Sequence, residues 1–317
     1  MKTFLPPRVL PFLLLLGCER SDRAGARPND SPFLVVLGIA QDAGYPQAGC
    51  ERACCASAWR EAAHRRKVTS LAIVDPQTSE RWLIEATPDF PEQLRTLNKI
   101  APATNTTILT GIFLTHAHLG HYTGLMHLGR EVMGAQAIPV YAMPRMQTFL
   151  RTNGPWDQLV RLQNITLRPL QHDSTITLNS RLRITPILVP HRDEYSETVG
   201  FRIVGPNRAV LFIPDIDKWE KWERKIEDEL AKVDVAFLDG TFYAEGEIPG
   251  RNLAEIPHPF IVESLARWSG LARQERSKIR FIHFNHTNPA LNDGSAAWQR
   301  VLHEGFQSAR EGERFGL

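Results

Sequence analysis

Residues 115–121 read Thr-His-Ala-His-Leu-Gly-His and directly follow the apolar run Gly111–Leu114. No other stretch constrains the chain as tightly. Alternate residues of an extended segment point to one side, so His116 and His118 can approach a single ion. His121 falls one turn further, at a helix start, and faces a second, adjacent position. Imidazole is the commonest side-chain ligand of zinc and similar metals. A histidine-rich loop without metal would need three imidazoles at ligand spacing by chance. The motif therefore predicts a metal centre where a buried strand meets a loop.

Further polar residues end apolar runs in the same way. Val189-Pro190-His191, Phe212-Ile213-Pro214-Asp215 and Phe284-Asn285-His286 each carry one. Alone, a strand-end Asp is more often a turn residue or a helix cap. Beside the histidine motif, His191, Asp215 and His286 become candidates to complete a site. Asp42, in the turn Gln41–Pro46, reads equally as a turn residue or as a group near the metals.

The runs around these residues predict a strand-rich α/β chain. Strands are expected over 33–39, 70–75, 81–85, 110–114, 138–142, 199–204, 209–213, 235–238 and 279–284, with several more between 165 and 189. Helical spacing marks 89–99, 121–133, 146–151, 218–232 and 259–269. No repeat or internal linker interrupts the body, so one domain over 32–317 is expected. With 43% apolar and 23% charged residues, the 317-residue chain is not disordered, collagenous or coiled-coil.

The first 17 residues, MKTFLPPRVLPFLLLLG, have a positive start and an apolar run too short to span a bilayer. Cys18 follows Leu15-Leu16-Gly17, which resembles a bacterial lipobox. The expectation is a signal peptide over 1–17, acylation of Cys18, a polar tether over 18–31, and a lipoprotein anchored to a bacterial membrane facing the periplasm. Of 37 basic and 35 acidic side chains, Lys2 and Arg8 belong to this leader, so the body carries no net charge. That gives no electrostatic footprint for nucleic acid and points to a small-molecule substrate.

Three cysteines remain, Cys50, Cys54 and Cys55. Three thiolates plus one His form a closed tetrahedral zinc set. The rival is a disulfide from Cys50 to Cys54 or Cys55 plus one free thiol, since an adjacent Cys54–Cys55 bond would be strained.

The loop THAHLGH, with His191, Asp215 and His286, resembles the metallo-β-lactamase superfamily. The resemblance implies a four-layer αββα sandwich with one or two divalent ions at one edge. It implies His116, His118 and His191 in the first metal site. His121, Asp215 and His286 make the second, with Asp215 able to bridge. The superfamily loop usually reads His-x-His-x-Asp-His, whereas this chain has Gly120 at the Asp position. The second site is thus expected to lack a ligand and bind weakly, and Gly120→Asp to strengthen it.

The segments LGIAQDAGYPQ, IEATPDFPEQL, HYTGLMHLGRE, DGTF and HFNHTNPALN are similar to the coenzyme PQQ synthesis protein B group, a branch of that superfamily. Typical members lack the full set of loop histidines, which this chain keeps. The group places a Cys cluster near residue 50, usually as Cys-x-Cys-x-x-Cys. It implies His283 as fourth ligand of a structural zinc with Cys50, Cys54 and Cys55, and His258 as a proton donor or a substrate ligand. The expected activity is metal-dependent hydrolysis of an ester, phosphodiester or lactone. Asp215 would orient the attacking water and His258 protonate the leaving group. Zinc suits the ligands, and iron or manganese fits them too. The alternatives are iron-dependent oxidative chemistry of the PQQ-synthesis type and a non-catalytic binding relative.

Overall fold

The computed structural model describes Met1, residues 30–103, residues 108–248, Gly250 and residues 257–317. The expected leader and Cys18, with the tether up to residue 29, lie outside the described residues.

Among the described residues fourteen strands form two sheets. The first half of the chain supplies β1 (Phe33–Gly38), β2 (Ser70–Asp75), β3 (Glu80–Ile84), β4 (Gly111–Phe113), β5 (Ile138–Ala142) and β6 (Ile165–Pro169). The second half supplies β7 (Ile176–Thr177), β8 (Arg183–Leu188), β9 (Val199–Val204), β10 (Ala209–Ile213), β11 (Val235–Asp239), β12 (Ile279–Ile282) and β13 (Gln307–Ser308). The last strand, β14 (Arg314–Gly316), returns to pair with β1. The first sheet runs β14-β1-β2-β3-β4-β5-β6 and the second β13-β12-β11-β10-β9-β8-β7. Pairing is antiparallel through β1, β2 and β3, then parallel from β3 to β6. The second sheet is parallel from β10 to β13.

Side-chain alternation builds the layers. In β1, Leu34 and Val36 join the core between the sheets, while Val35 and Leu37 face the outer cluster. In β2, Leu71 and Ile73 point inward and Ala72 and Val74 outward. Strands covered on both faces read as continuous apolar runs, which made them legible. The outer face of the first sheet is covered by the helices Phe90–Ile100, Pro144–Thr152 and Trp156–Arg161, through Leu94, Leu97, Leu150 and Leu159. Ile261 and Leu265 of the helix Ile261–Arg267 and Val301 of the helix Ala296–His303 cover the second sheet. The result is the four-layer αββα sandwich.

Two expected helices differ. Residues 121–133 form only a short helix Leu119–Tyr122 and a 3-10 turn Thr123–Leu128. Gly124 donates its N–H to Ala86 O at 2.9 Å, and a Cβ there would lie 2.1 Å from Thr87 O. This close approach bends the chain onto the end of β3. Residues 218–232 form a 3-10 turn Trp219–Lys221 and a helix Ile226–Leu230. The indoles of Trp219 and Trp222 donate to Ser264 Oγ and Leu188 O at 3.0 and 2.9 Å, so tertiary contacts override helical spacing.

Parallel strands present their carboxyl ends on one edge, where open α/β sheets carry their sites. Glu85 follows β3, the histidine loop β4, His191 β8, Asp215 β10 and His283 β12, while Asp239 ends β11.

Candidate metal centre

His116, His118, His191 and Asp215 offer ligand atoms that all lie within 4.8 Å of one another. His116 Nε2 and His118 Nδ1 are 2.8 Å apart, and His116 Nε2 is 3.4 Å from Asp215 Oδ2. His191 Nε2 stands 3.7 Å from Asp215 Oδ1. The outward-facing nitrogens are held from behind: His116 Nδ1 by Thr115 Oγ1 at 2.8 Å, and His191 Nδ1 near Asp217 Oδ1 at 3.3 Å. Such outer partners fix which ring nitrogen faces a metal.

A second set combines Asp42, His121, Asp215 and His283. His121 Nε2 lies 2.9 Å from Asp42 Oδ1 and 3.1 Å from Asp215 Oδ2, and His283 Nε2 lies 3.4 Å from the same Asp215 oxygen. Asp215 therefore belongs to both sets. Behind the ligands, Glu85 Oε1 stands 3.5 Å from His121 Nδ1, and Thr241 Oγ1 2.9 Å from His283 Nδ1. Glu85 and His283 both adopt positive φ, at 77° and 68°. Non-glycine residues rarely do so, and such positions gather at functional sites.

The electrostatics call for a cation. Burial alone would raise the Asp215 carboxyl, yet His283, His191 and His121 hold it well below the usual carboxylate range. Burial disfavours a charged His121, but Glu85, Asp215 and Asp42 drive its pKa well above the ordinary imidazole value. Burial and neighbouring His121 push His116 well below that value. Asp42 and Asp215 thus converge on one face of His121, with Glu85, whose own pKa burial raises, behind the ring, and a divalent ion could take the place of the imidazolium proton between them. Asp42 Oδ1, His121 Nε2, Asp215 Oδ1 and His283 Nε2 are buried without a hydrogen-bond partner. Unpaired buried polar atoms are costly and rare, so their convergence fits a bound cation.

The two strand-end histidines exchange places relative to expectation. His286, expected at the second metal site, instead approaches the thiols: Nδ1 is 3.6 Å from Cys54 Sγ and 3.4 Å from Cys55 Sγ. His283, expected with the thiols, faces Asp42 and Asp215. After β12 the chain turns at His283 through its positive φ, which sends its ring into the sheet edge. Cys50, Cys54, Cys55 and His286 form a four-ligand set, with Cys50 Sγ and Cys54 Sγ 3.6 Å apart and all three cysteines free. Tetrahedral ligands at ~2.3 Å from zinc would stand ~3.7 Å apart, so this set matches the metal rather than the disulfide.

His258 lies at the rim of the centre. Its Nδ1 is 2.8 Å from Asp239 Oδ2 and 3.4 Å from Asp215 Oδ1. Burial lowers its pKa, but Asp239, with Asp215 and Asp42 beyond it, raises it to about 9. A cleft of about 390 Å³ opens there, lined by Gln41, Arg52, Arg192, Phe242, His258 and Asn285 among others. A larger cleft of about 540 Å³, lined by Phe33, Arg81 and Arg314, lies apart from the histidines.

Sequence reading missed Glu85, Asp217, Asp239 and Thr241 as supports and left Asp42 undecided. Glu85 and Asp239 carry the same strand-end signal as Asp215, but no spacing links them to the histidine motif. Asp42 stands in the second set, where Gly120 offers no side chain.

A sequence model described as Beta-lactamase superfamily domain matches residues 80–284, more than half of the chain. The chain belongs to that superfamily. It is 26% identical over 306 residues to a coenzyme PQQ synthesis protein B of Xanthomonas oryzae pv. oryzae, covering 90% of this chain and 99% of that protein. The structure of Zn(2+)-bound PqqB from Methylobacterium extorquens superimposes with a TM-score of 0.74 at 22% identity, covering 90% of this chain and 100% of that one. A diphosphatase from the PhnP family follows with a TM-score of 0.62 at 21% identity, covering 90% and 97%.

The same comparison corrects the expectation of an exported, lipid-anchored protein. The PQQ synthesis relative is matched over 99% of its length, so it has no counterpart to the remaining tenth of this chain. Among the described residues no helix is long and apolar enough to cross a membrane. The signal peptide, lipid anchor and periplasmic location expected from residues 1–18 are not supported by these relatives.

Proposed function

We propose that the protein is a metal-dependent hydrolase that cleaves a phosphodiester in a small anionic molecule. The observation that carries this is the His258–Asp239 pair, set at the rim of two adjoining ligand sets and facing a cleft with two arginines. Divalent ions held by those sets would supply a water activated at neutral pH and neutralise charge on the phosphoryl oxygens. Zinc suits this donor set, and iron or manganese fits it as well.

The chain's own residues account for the rest. Asp215 directs Oδ2 to the His121 side and Oδ1 to the His191 side, so it can hold the attacking water between them. His258 stays protonated at neutral pH with its pKa near 9, and so can give a proton to the leaving alkoxide. Asp239 keeps that imidazole charged and oriented. Arg52 and Arg192 line the cleft as cationic partners for a phosphoryl group. The diphosphatase similar to this chain supports a phosphoryl-group substrate.

Oxidative chemistry of the PQQ-synthesis type is the second reading, favoured by the match to a coenzyme PQQ synthesis protein B over 90% of the chain. Zinc- and iron-loaded protein should be assayed against bis(p-nitrophenyl) phosphate, p-nitrophenyl acetate and a lactone, with and without oxygen. Phosphodiester cleavage independent of oxygen is expected. Turnover that requires oxygen, or no phosphodiester cleavage with either metal, would overturn the hydrolase reading.

A further inference from the structure

We infer that Asp42 is the carboxylate ligand of the second ion, supplied from a different loop in place of the side chain that Gly120 lacks. The two positions compete for one space. A Cβ on Gly120 would lie 2.3 Å from Asp42 Cα, 2.4 Å from Asp42 Oδ1 and 2.9 Å from Asp42 Cβ. Contacts below 3.0 Å to backbone force a shift, so a side chain at 120 and Asp42 in its present place exclude one another. Glycine at 120 is the condition for Asp42 to reach the site.

The geometry separates Asp42 from the other nearby carboxylate. Asp42 Oδ1 lies 2.9 Å from His121 Nε2 and 3.8 Å from His283 Nε2, on the side where both rings face Asp215. Glu85 instead stands behind His121, 3.5 Å from Nδ1, where it orients the ring. Tetrahedral ligands at ~2.0–2.1 Å from zinc stand ~3.4 Å apart. The separations of 2.9, 3.1, 3.4 and 3.8 Å around Asp42, His121, Asp215 and His283 bracket that value.

The loop carrying Asp42 is tied down on both sides. Gln41 N donates to Phe284 O at 2.8 Å, Phe284 N to Ile39 O at 2.9 Å, and Asn285 Nδ2 to Gln41 Oε1 at 2.7 Å. Gly44 N closes the turn on Gln41 O at 2.7 Å, with Gly44 at φ 70°. Downstream, Tyr45 Oη donates to Cys54 O at 2.6 Å, inside the thiol cluster. Asp42 therefore has the rigid support a ligand needs, although it is 79 positions before His121 in the chain.

This rests on the two-ion reading of the centre, and its readout is metal stoichiometry. The zinc-loaded full chain should hold about three ions, two at the histidine centre and one at the thiols. Asp42→Asn keeps the side-chain shape and should hold about two, with near-ultraviolet circular dichroism unchanged. Gly120→Asp, which adds a carboxylate at the superfamily's usual position, should lose an ion because it displaces the Asp42 loop. An Asp42→Asn protein that keeps all its zinc at wild-type affinity in chelator competition would overturn the inference. So would a Gly120→Asp protein that binds zinc more tightly. Fewer than two ions at the wild-type histidine centre would overturn the two-ion reading and this inference with it. If Asp42→Asn fails to fold, Gly120→Asp alone decides, since its two outcomes are opposite in sign.

Discussion

Replacing Asp239 by Asn tests whether His258 is held charged by design of the site. Asp239 is fully buried, and its Oδ2 lies 2.8 Å from His258 Nδ1. The His258 pKa of about 9 stands above the ordinary imidazole value of ~6.5, and each pKa unit is about 1.4 kcal/mol, so the surrounding carboxylates, Asp239 foremost, outweigh burial by on the order of 3 kcal/mol. Burial opposes the shift, so removing the carboxylate should drop the imidazole to or below its ordinary value. The raised folded pKa contributes stability that is fully present below the unfolded value of 6.5 and is lost as pH rises through about 9. The wild type should lose this stability between those limits, and Asp239→Asn should not. Asp239 also accepts from Ile216 N at 3.1 Å and Thr241 N at 2.9 Å. Asn keeps one acceptor oxygen, so a constant further loss of about 1–3 kcal/mol is expected at every pH. Imidazole NMR of the metal-stripped protein reads the titration directly, with urea melts at several pH values alongside. A His258 signal that titrates near 6.5 in the wild type, or is unmoved in Asp239→Asn, would refute the reasoning.

Cys55→Ser should remove about one zinc per chain, lower the melting temperature and leave zinc at the histidine centre. Metal analysis and calorimetry check this, with three thiols titratable in denaturant for the wild type. Asp75 is fully buried at the end of β2 and is paired with Arg181. Burial would raise its pKa, but Arg181 and Asn179 hold it below the ordinary value. Its stabilisation is present above the unfolded value of ~3.9 and is lost as pH falls through the lower folded pKa. Arg181→Ala should cost about 3–5 kcal/mol at pH 7, and the gap to wild type should close in acid melts below pH ~4. Arg52→Ala and Arg192→Ala should each raise KM for a phosphodiester while leaving kcat close to wild type; a fall in kcat alone would place them elsewhere in the reaction.

The parts legible in the sequence were those written in local pattern. The buried strands around β1, β2 and β10 are continuous apolar runs, and the histidine loop announces itself within residues 116–121. What stayed hidden depends on contacts between distant segments. Asp42 becomes a neighbour of His121 only because the end of β1 bridges at Ala40 to Phe284, a pairing no spacing encodes. The exchange of His283 and His286 has the same origin: three positions apart at a strand end, they are sorted by one left-handed residue. Helical spacing misled over 121–133 because it ignored the carbonyls of Ala86 and Thr87 that draw Gly124 inward. The short strands β13 and β14 carry too few residues to show a period, and pairing with β12 and β1 defines them.

The most direct test of the account is anomalous X-ray diffraction at the zinc edge from crystals of the zinc-loaded protein. Two peaks ~3.5–4 Å apart are expected on either side of Asp215, one by His116, His118 and His191 and one by Asp42, His121 and His283, with a third among the thiols and His286. A centre with no zinc around Asp215, or with His286 rather than His283 on the ion, would contradict it.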